Sequence, residues 1–408
     1  MKWRGMGLAL LTVAALAQEE IPEKPNRREE LVAGMNAFAC DLYGELRQQE
    51  GNLFLSPFAI STAGAMLSVG AAGETAAEVR QAFHLPEQEE LLATWPELRR
   101  RLGKGVGEGM TLHFANAVCV ERSTPLHPSY QSMLKEAFSV PCYGLDFRGD
   151  PGGCVREINA WAAKQTKQEG SDILQPGDLT PETMLVLVSA SYFKGTWDKP
   201  FGRSATRPRD FRLDAEREIK VPTMRRQVDQ RIANREWFMV VPLAYEDSSI
   251  EMVLLVPKQV DGLARLEDEL SAEKLSEWLA EDKTSVELTL TLYLPKLLYE
   301  SRFDLAQPLV ERRAKRAISP GESDFEPMFG PSSAVTAERP HVSRFVHTAG
   351  IRVDEEGTVA YSKTAADIDW GGPPGEMTLR VDRPFLFLIR ERKTGLVLYL
   401  GRVVDPSK

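Results

Sequence analysis

Few of the side chains in this 408-residue chain that could move protons, hold metals or attack carbon are arranged to do so. The five histidines are His84, His113, His127, His341 and His347. None stands in an H-E-x-x-H pattern, which would put two ligands and a general base on one helix face. The four cysteines form no C-x-x-C pair, so a zinc site has no support. No G-x-S-x-G elbow presents a serine nucleophile. No G-x-x-x-x-G-K-[ST] loop, and no G-x-G-x-x-G after a strand, turns backbone N–H groups toward a phosphate. What remains is charge. Glu355-Glu356 stands beside Gly357, but carboxylates this common are mostly solvated. Arg99-Arg100-Arg101 with Lys104 could hold a heparin-like polyanion, even on an acidic chain. The competing reading is a solvated helix end, which the dipole favours. The missing motifs point away from an enzyme, a cofactor or a metal, and toward a binding or inhibitory protein.

Charge narrows the partners. Lys and Arg number 50 against 59 Asp and Glu, a net charge of −9. Phosphate contacts need a basic surface, so a dedicated nucleic-acid binder is disfavoured. Residues 1–17 read as a secretory signal. Lys2 and Arg4 start it, Gly7 to Ala15 is an apolar run too short to span a bilayer, and Ala15-Leu16-Ala17 is a small-x-small cleavage site. A short segment, 18–29, follows. No later run of apolar residues is long enough to cross a membrane, so the expectation is a secreted, extracellular protein. Cys40 lies on a helical apolar stripe and Cys119 in an apolar strand, as buried thiols would. Cys142 and Cys154 are close enough to pair around a glycine-rich turn, and spacing alone leaves that open.

The elements that must position these groups follow from periodicity. Leu31, Met35, Phe38, Leu42 and Leu46 recur at helical spacing over 27–49. Further helices are predicted over 56–69, 74–83, 88–102, 128–138, 155–167 and 263–279. Strands are predicted over 111–120, 185–193, 250–256, 286–294, 385–390 and 396–404. The run Leu185–Phe193 has few polar interruptions, as a strand buried on both faces should. Helices dominate the first third and strands the rest without regular alternation. That pattern predicts an α+β fold in one large domain over 30–408.

Several segments together resemble the serpin family of serine protease inhibitors. They are Asn52-Leu53-Phe54-Leu55-Ser56-Pro57, then Tyr192-Phe193-Lys194-Gly195-Thr196-Trp197 with Phe201, and Val221-Pro222-Thr223-Met224. Leu294-Pro295-Lys296 and Phe303-Asp304-Leu305 follow, then His347 through Asp354-Glu355-Glu356-Gly357-Thr358. Asp382-Arg383-Pro384-Phe385-Leu386-Phe387 and Gly401-Arg402-Val403-Val404-Asp405-Pro406 close the series. The order holds from about residue 30 to 408. The resemblance implies three β-sheets, eight or nine helices and an exposed reactive loop over about 357–380. It implies a monomer whose partner is an extracellular serine protease. The protease cleaves the loop, forms an acyl-enzyme, and is trapped when the loop inserts into the central sheet. The alternative within the family is a non-inhibitory carrier or chaperone. Glu355, Glu356, Gly357, Thr358, Ala360 and Ser362 correspond to the loop hinge. Ser56 and His347 correspond to the shutter where strands part, and Lys194 and Trp197 to the breach above it. Ala59 and Ser189 replace the serine and asparagine usual at the shutter, which predicts a reduced hydrogen-bond network there.

The loop's own residues bear on insertion. Val359, Tyr361 and Lys363 depart from the family's run of small residues. A strand alternates its faces, however, and Thr358, Ala360, Ser362, Thr364 and Ala366 share one face, all small. Counting along the loop puts the reactive bond within 369–373, at Trp370-Gly371 or Gly371-Gly372. No Lys or Arg lies between Lys363 and Arg380, which disfavours a trypsin-like target and favours a chymotrypsin-like or elastase-like one.

Overall fold

Asn26 accepts hydrogen bonds from the backbone of Arg28 and Glu29, and the Glu29 side chain returns one, closing a capping box on helix α1 (Arg27–Leu46). A computed structural model of the protein describes residues 26–107, 110–165, 172–281, 284–331, 339–357 and 376–408. The short strand β1 (Leu53–Leu55) leads into α2 (Pro57–Gly70), whose residues are buried all round. A helix without a polar face belongs inside the molecule, and α2 runs behind the sheets. Helices α3 (Gly73–Ala82) and α4 (Gln88–Gly105), strand β2 (Thr111–Glu121), α5 (Pro128–Met133) with a π-turn at Leu134–Phe138, β3 (Cys142–Leu145), α6 (Pro151–Gln165) and β4 (Leu185–Lys194) complete the first half. The second half holds β5 (Arg207–Arg212), β6 (Glu218–Asn234), β7 (Phe238–Ala244), β8 (Ile250–Pro257), α7 (Leu263–Glu269), α8 (Ala272–Leu279), β9 (Ser285–Pro295) and β10 (Leu297–Asp304). Single-turn or slightly longer helices α9 (Ala306–Glu311), α10 (Lys315–Ile318) and α11 (Glu326–Phe329) precede β11 (Val342–Val353), β12 (Glu376–Arg380), β13 (Phe385–Glu391) and β14 (Val397–Val403).

The architecture is α+β, as the sequence pattern predicts. A five-stranded sheet runs β10-β11-β4-β2-β3, with β4 at its centre and buried along nearly its whole length. Its central pair, β11 and β4, is parallel, whereas β10 and β2 flank that pair antiparallel. A second network of nine strands runs β1-β14-β13-β8-β7-β6-β9-β12, with β5 on β6. One face of the five-stranded sheet joins the main core through Phe345, Ala349 and Ile351. The other face packs Val186, Val188, Ala190 and Val346 under α6 and the Ile173–Leu179 connection.

Among the described residues, two details of the fold differ from expectation. Where three sheets are expected, two hydrogen-bonded networks form, because the long strand β6 pairs with β5, β9 and β7 in turn and fuses what would be separate sheets. Eleven α-helices are described rather than eight or nine. One reason is that the apolar period over 263–279 belongs to two helices, broken where Leu270 turns extended and Ser271 caps α8. The pairing of Cys142 with Cys154, which spacing leaves open, is not made. The sheet separates them: Cys142 packs on the main core, and Cys154 lies on α6 and packs into the cluster on the opposite face.

Candidate functional site

The site is built on the seam between β11 and β4. On the core side, Ser56 caps α2 by accepting the Ala59 N–H at 3.2 Å. The same hydroxyl donates to the Leu398 carbonyl on β14 at 2.9 Å. The Ser56 N–H donates to His347 Nε2 at 3.0 Å, so Nε2 carries no proton. The imidazole therefore holds its proton on Nδ1 and donates it to Ser189 Oγ, 3.0 Å away. His347 and Ser189 are paired across the seam, so one ring ties together the two strands that insertion would separate. Burial drives the His347 pKa down to about 3, which keeps the ring neutral. The network is less reduced than the sequence suggests. Ser189 supplies the bond across the seam, and the buried Asn116 Oδ1 on β2, opposite Ser189, has no hydrogen-bond partner among the described residues.

At the other end of β4 the chain passes Gly195 and Thr196 to Trp197, which is buried and stacked on Tyr245 at 4.7 Å. The Trp197 indole N–H donates to the Asp354 carbonyl at 3.1 Å. Its backbone N–H donates to the Glu356 carbonyl at 2.9 Å, and the Phe201 N–H to the Glu355 carbonyl at 2.6 Å. Breach and hinge are thus one hydrogen-bonded unit. Gly357 sits at φ +147°, and a Cβ there would fall 2.0 Å from the Gly195 carbonyl oxygen. Only glycine fits that crossing.

The hinge acids are buried, not solvated as their type alone suggests. Glu355 is 6% exposed and meets Lys296 Nζ at 2.7 Å and the Thr206 hydroxyl at 2.6 Å. Burial alone raises its pKa, but the Lys296 and Thr206 bonds outweigh that and leave it below the ordinary value. Glu356 pairs with Arg203 at 2.6 Å. Sequence reasoning misses Lys296, Arg203 and Thr206 as site residues. Lys296 has a signal in Leu294-Pro295-Lys296, whereas Arg203 and Thr206 lie in an irregular stretch with none. Lys194 is the last residue of β4, opposite Thr111.

The basic run does not act as a block. Successive helical residues turn by about 100°, so neighbours face apart. Arg101 and Lys104 line a cleft of about 710 Å³ with Arg392 and Lys393 from the β13–β14 turn, while Arg99 and Arg100 do not. Asp198, Asp247 and Glu391 line the same cleft. The signal segment 1–17, the hinge residues Thr358, Ala360 and Ser362, and the reactive-bond residues Trp370, Gly371 and Gly372 lie outside the described residues.

The family model for Serpin (serine protease inhibitor) matches residues 33–406. The chain is a serpin. It is 32% identical over 386 residues to the leukocyte elastase inhibitor of Bos taurus, covering 93% of this chain and 100% of that one. To antithrombin-III of Mus musculus it is 31% identical over 403 residues, covering 96% and 85%. Among solved structures, Serpin48 of the insect Tenebrio molitor superposes with TM-score 0.79 at 26% identity, covering 92% of this serpin and 98% of that chain. Human thyroxine-binding globulin with its hormone superposes with TM-score 0.82, covering 93% and 100%; at 24% identity that likeness speaks to the fold. The expectation drawn from missing motifs, that the chain is simply not an enzyme, is corrected in its ground. The family match places the chain in a family of serine protease inhibitors, a placement that the missing motifs do not carry.

Proposed function

We propose that this serpin is a secreted inhibitor that traps a chymotrypsin-like or elastase-like serine protease by inserting its cleaved loop between β11 and β4. The protease serine would attack the loop carbonyl and form an ester. The C–N bond would break, and the new amine, carrying the transferred proton, would leave with the downstream segment. The observation that carries the reading is the closed parallel seam with a turn already formed at its top. Asp354 and Gly357 make an isolated antiparallel bridge at the end of β11. Continuing that register pairs Thr358 with Val353, Ala360 with Ile351, Ser362 with Ala349, Thr364 with His347 and Ala366 with Phe345. Every one of these loop residues is small, and their β11 partners face the main core or, for His347, the buried shutter. A strand entering here would replace one parallel ladder by two antiparallel ones, which are the more stable kind.

The test is incubation with chymotrypsin and with elastase, followed by denaturing gels. A covalent complex that survives SDS is the expected result; clean loop cleavage by the whole panel without complex would overturn the reading. The departures at Val359, Tyr361 and Lys363 from the family's run of small residues keep a non-inhibitory carrier as the second reading. It predicts loop cleavage with no rise in melting temperature. A heparin-like ligand at Arg101, Lys104, Arg392 and Lys393 is checked by retention on immobilised heparin at physiological salt.

A further inference from the structure

The chain as a whole repels anions at a net charge of −9, yet four of its cations meet in one cleft. Arg212 ends β5, Lys258 follows β8, Arg380 ends β12 and Arg383 stands just before β13. Folding brings these four segments together around a cavity of about 670 Å³. Among the described residues, Asp382 is the one acid on its wall. The cleft that holds Arg101 and Lys104 sets four cations against three acids, whereas this one sets four against one.

The contacts within the cleft leave positive charge in excess. Asp382 Oδ1 accepts from Arg383 Nε at 2.8 Å, and both Asp382 oxygens lie 3.4 Å from Arg212 Nη2. Arg383 Nη1 donates to the Lys258 carbonyl. The Lys258 ammonium donates to the Glu236 carbonyl at 2.9 Å, a dipole that leaves its full charge in place. Arg212, Arg383 and Lys258 therefore share a single carboxylate, and Arg380 lines the same cavity from β12. A cleft lined by one sign of charge over low-dielectric walls concentrates ions of the other sign. Its walls are apolar as well: Met239, Val256 and Leu379, all buried, line the cavity. Small-molecule pockets are built in this way, apolar with a few placed polar groups, at roughly 300–1,000 Å³.

We propose that this cleft binds a small organic anion. Its carboxylate, sulfate or phosphate head is held by Lys258 and the guanidiniums of Arg212, Arg380 and Arg383, and its apolar body lies against Met239, Val256 and Leu379. Binding does not depend on loop insertion, since all of these groups are in place with the sheet closed. Among the described residues β12 is an edge strand, paired with β9 alone. A head group that bridges Arg380 to Lys258 ties this edge to the end of β8, so occupancy slows the opening of β12.

The experiment titrates the full-length protein with naphthalene-2-sulfonate by calorimetry, beside inorganic sulfate as the head alone and 2-naphthol as the body alone. Naphthalene-2-sulfonate should saturate one site and bind several-fold tighter than either half. Lys258→Gln and Arg380→Gln, each confirmed to melt like the wild type, should weaken it about tenfold, as the loss of one charge-assisted hydrogen bond does. Arg101→Gln, in the other basic cleft, should leave it unchanged. Amide exchange over 376–381 should slow when the sulfonate is bound. Absence of saturable binding, or either half binding as tightly as the whole, overturns the proposal. So does wild-type affinity in Lys258→Gln and Arg380→Gln, or binding that leaves exchange over 376–381 as it was.

Discussion

At the scale of single residues, His347 and Gly357 fill roles that no neighbour could take over. The His347 ring is neutral because burial disfavours its charged form, and both its nitrogens are already committed. Its folded pKa of about 3 lies below the ordinary 6.5, so the unfolded chain binds the extra proton first. The contribution to stability is complete above the unfolded value and is lost as pH falls from 6.5 toward 3. Urea midpoints across that range should decline in the wild type and flatten in His347→Gln; parallel profiles would refute the assignment. Ser56→Ala removes a helix cap and the bond to Leu398 together, and should lower unfolding free energy by about 1–3 kcal/mol. Gly357→Ala drives a Cβ into the Gly195 carbonyl and should loosen the hinge from Trp197. Hydrogen exchange at the Trp197 indole, slow in the wild type, should then become fast.

At the scale of elements, long-range pairs decide which segments move together. Arg402 on β14 donates to the Arg47 and Gly51 carbonyls just past the end of α1, where a helix leaves acceptors unpaired, and pairs with Glu267 of α7 at 2.9 Å. Tyr43 donates to the same Glu267 oxygen at 2.6 Å. Arg402→Met would leave the half-buried Glu267 carboxylate with Tyr43 as its remaining partner and free the Arg47 and Gly51 carbonyls, and should lower the unfolding free energy, read by guanidinium unfolding. Lys296→Gln acts on the hinge instead. It leaves Glu355 buried without its cation, so the carboxyl keeps the Thr206 bond but loses the Lys296 bond that helps to hold its pKa down. Spontaneous loop insertion, read as slow conversion to a heat-resistant inactive form, should accelerate; an unchanged rate would show that the pair does not hold the hinge.

At the scale of the whole molecule, the seam between β11 and β4 is where a strand of this chain could be added inside a sheet that is already satisfied. The barrier is the set of bonds crossing it: the parallel ladder, the shutter imidazole, and the bond from Arg344 to the Asp178 carbonyl. If the loop inserts as proposed, a closed sheet held this way would be a kinetic state, whose lifetime depends on those bonds more than on total stability. The four unpaired cysteines fit it, since none ties the seam strands together.

Residue order alone is enough to establish the fold class, the family and the succession of its segments. The apolar runs of α1 and β4 and the ordered motifs from Asn52 to Pro406 are local patterns, and local patterns survive without coordinates. The parity of the loop is legible in the same way, because alternation needs only a residue count. Which charges meet is a matter of packing in three dimensions. Lys296 lies far from Glu355 in sequence, Arg203 farther still from Glu356, and Arg344 faces Asp178 only because β11 lies beside β4. Packing likewise joins Arg101 and Lys104 to Arg392 and Lys393 while leaving Arg99 and Arg100 apart, and it sets Cys142 and Cys154 on opposite sides of a sheet. Such pairings depend on how distant strands stack in space, and side-chain type and spacing along the chain carry no record of that.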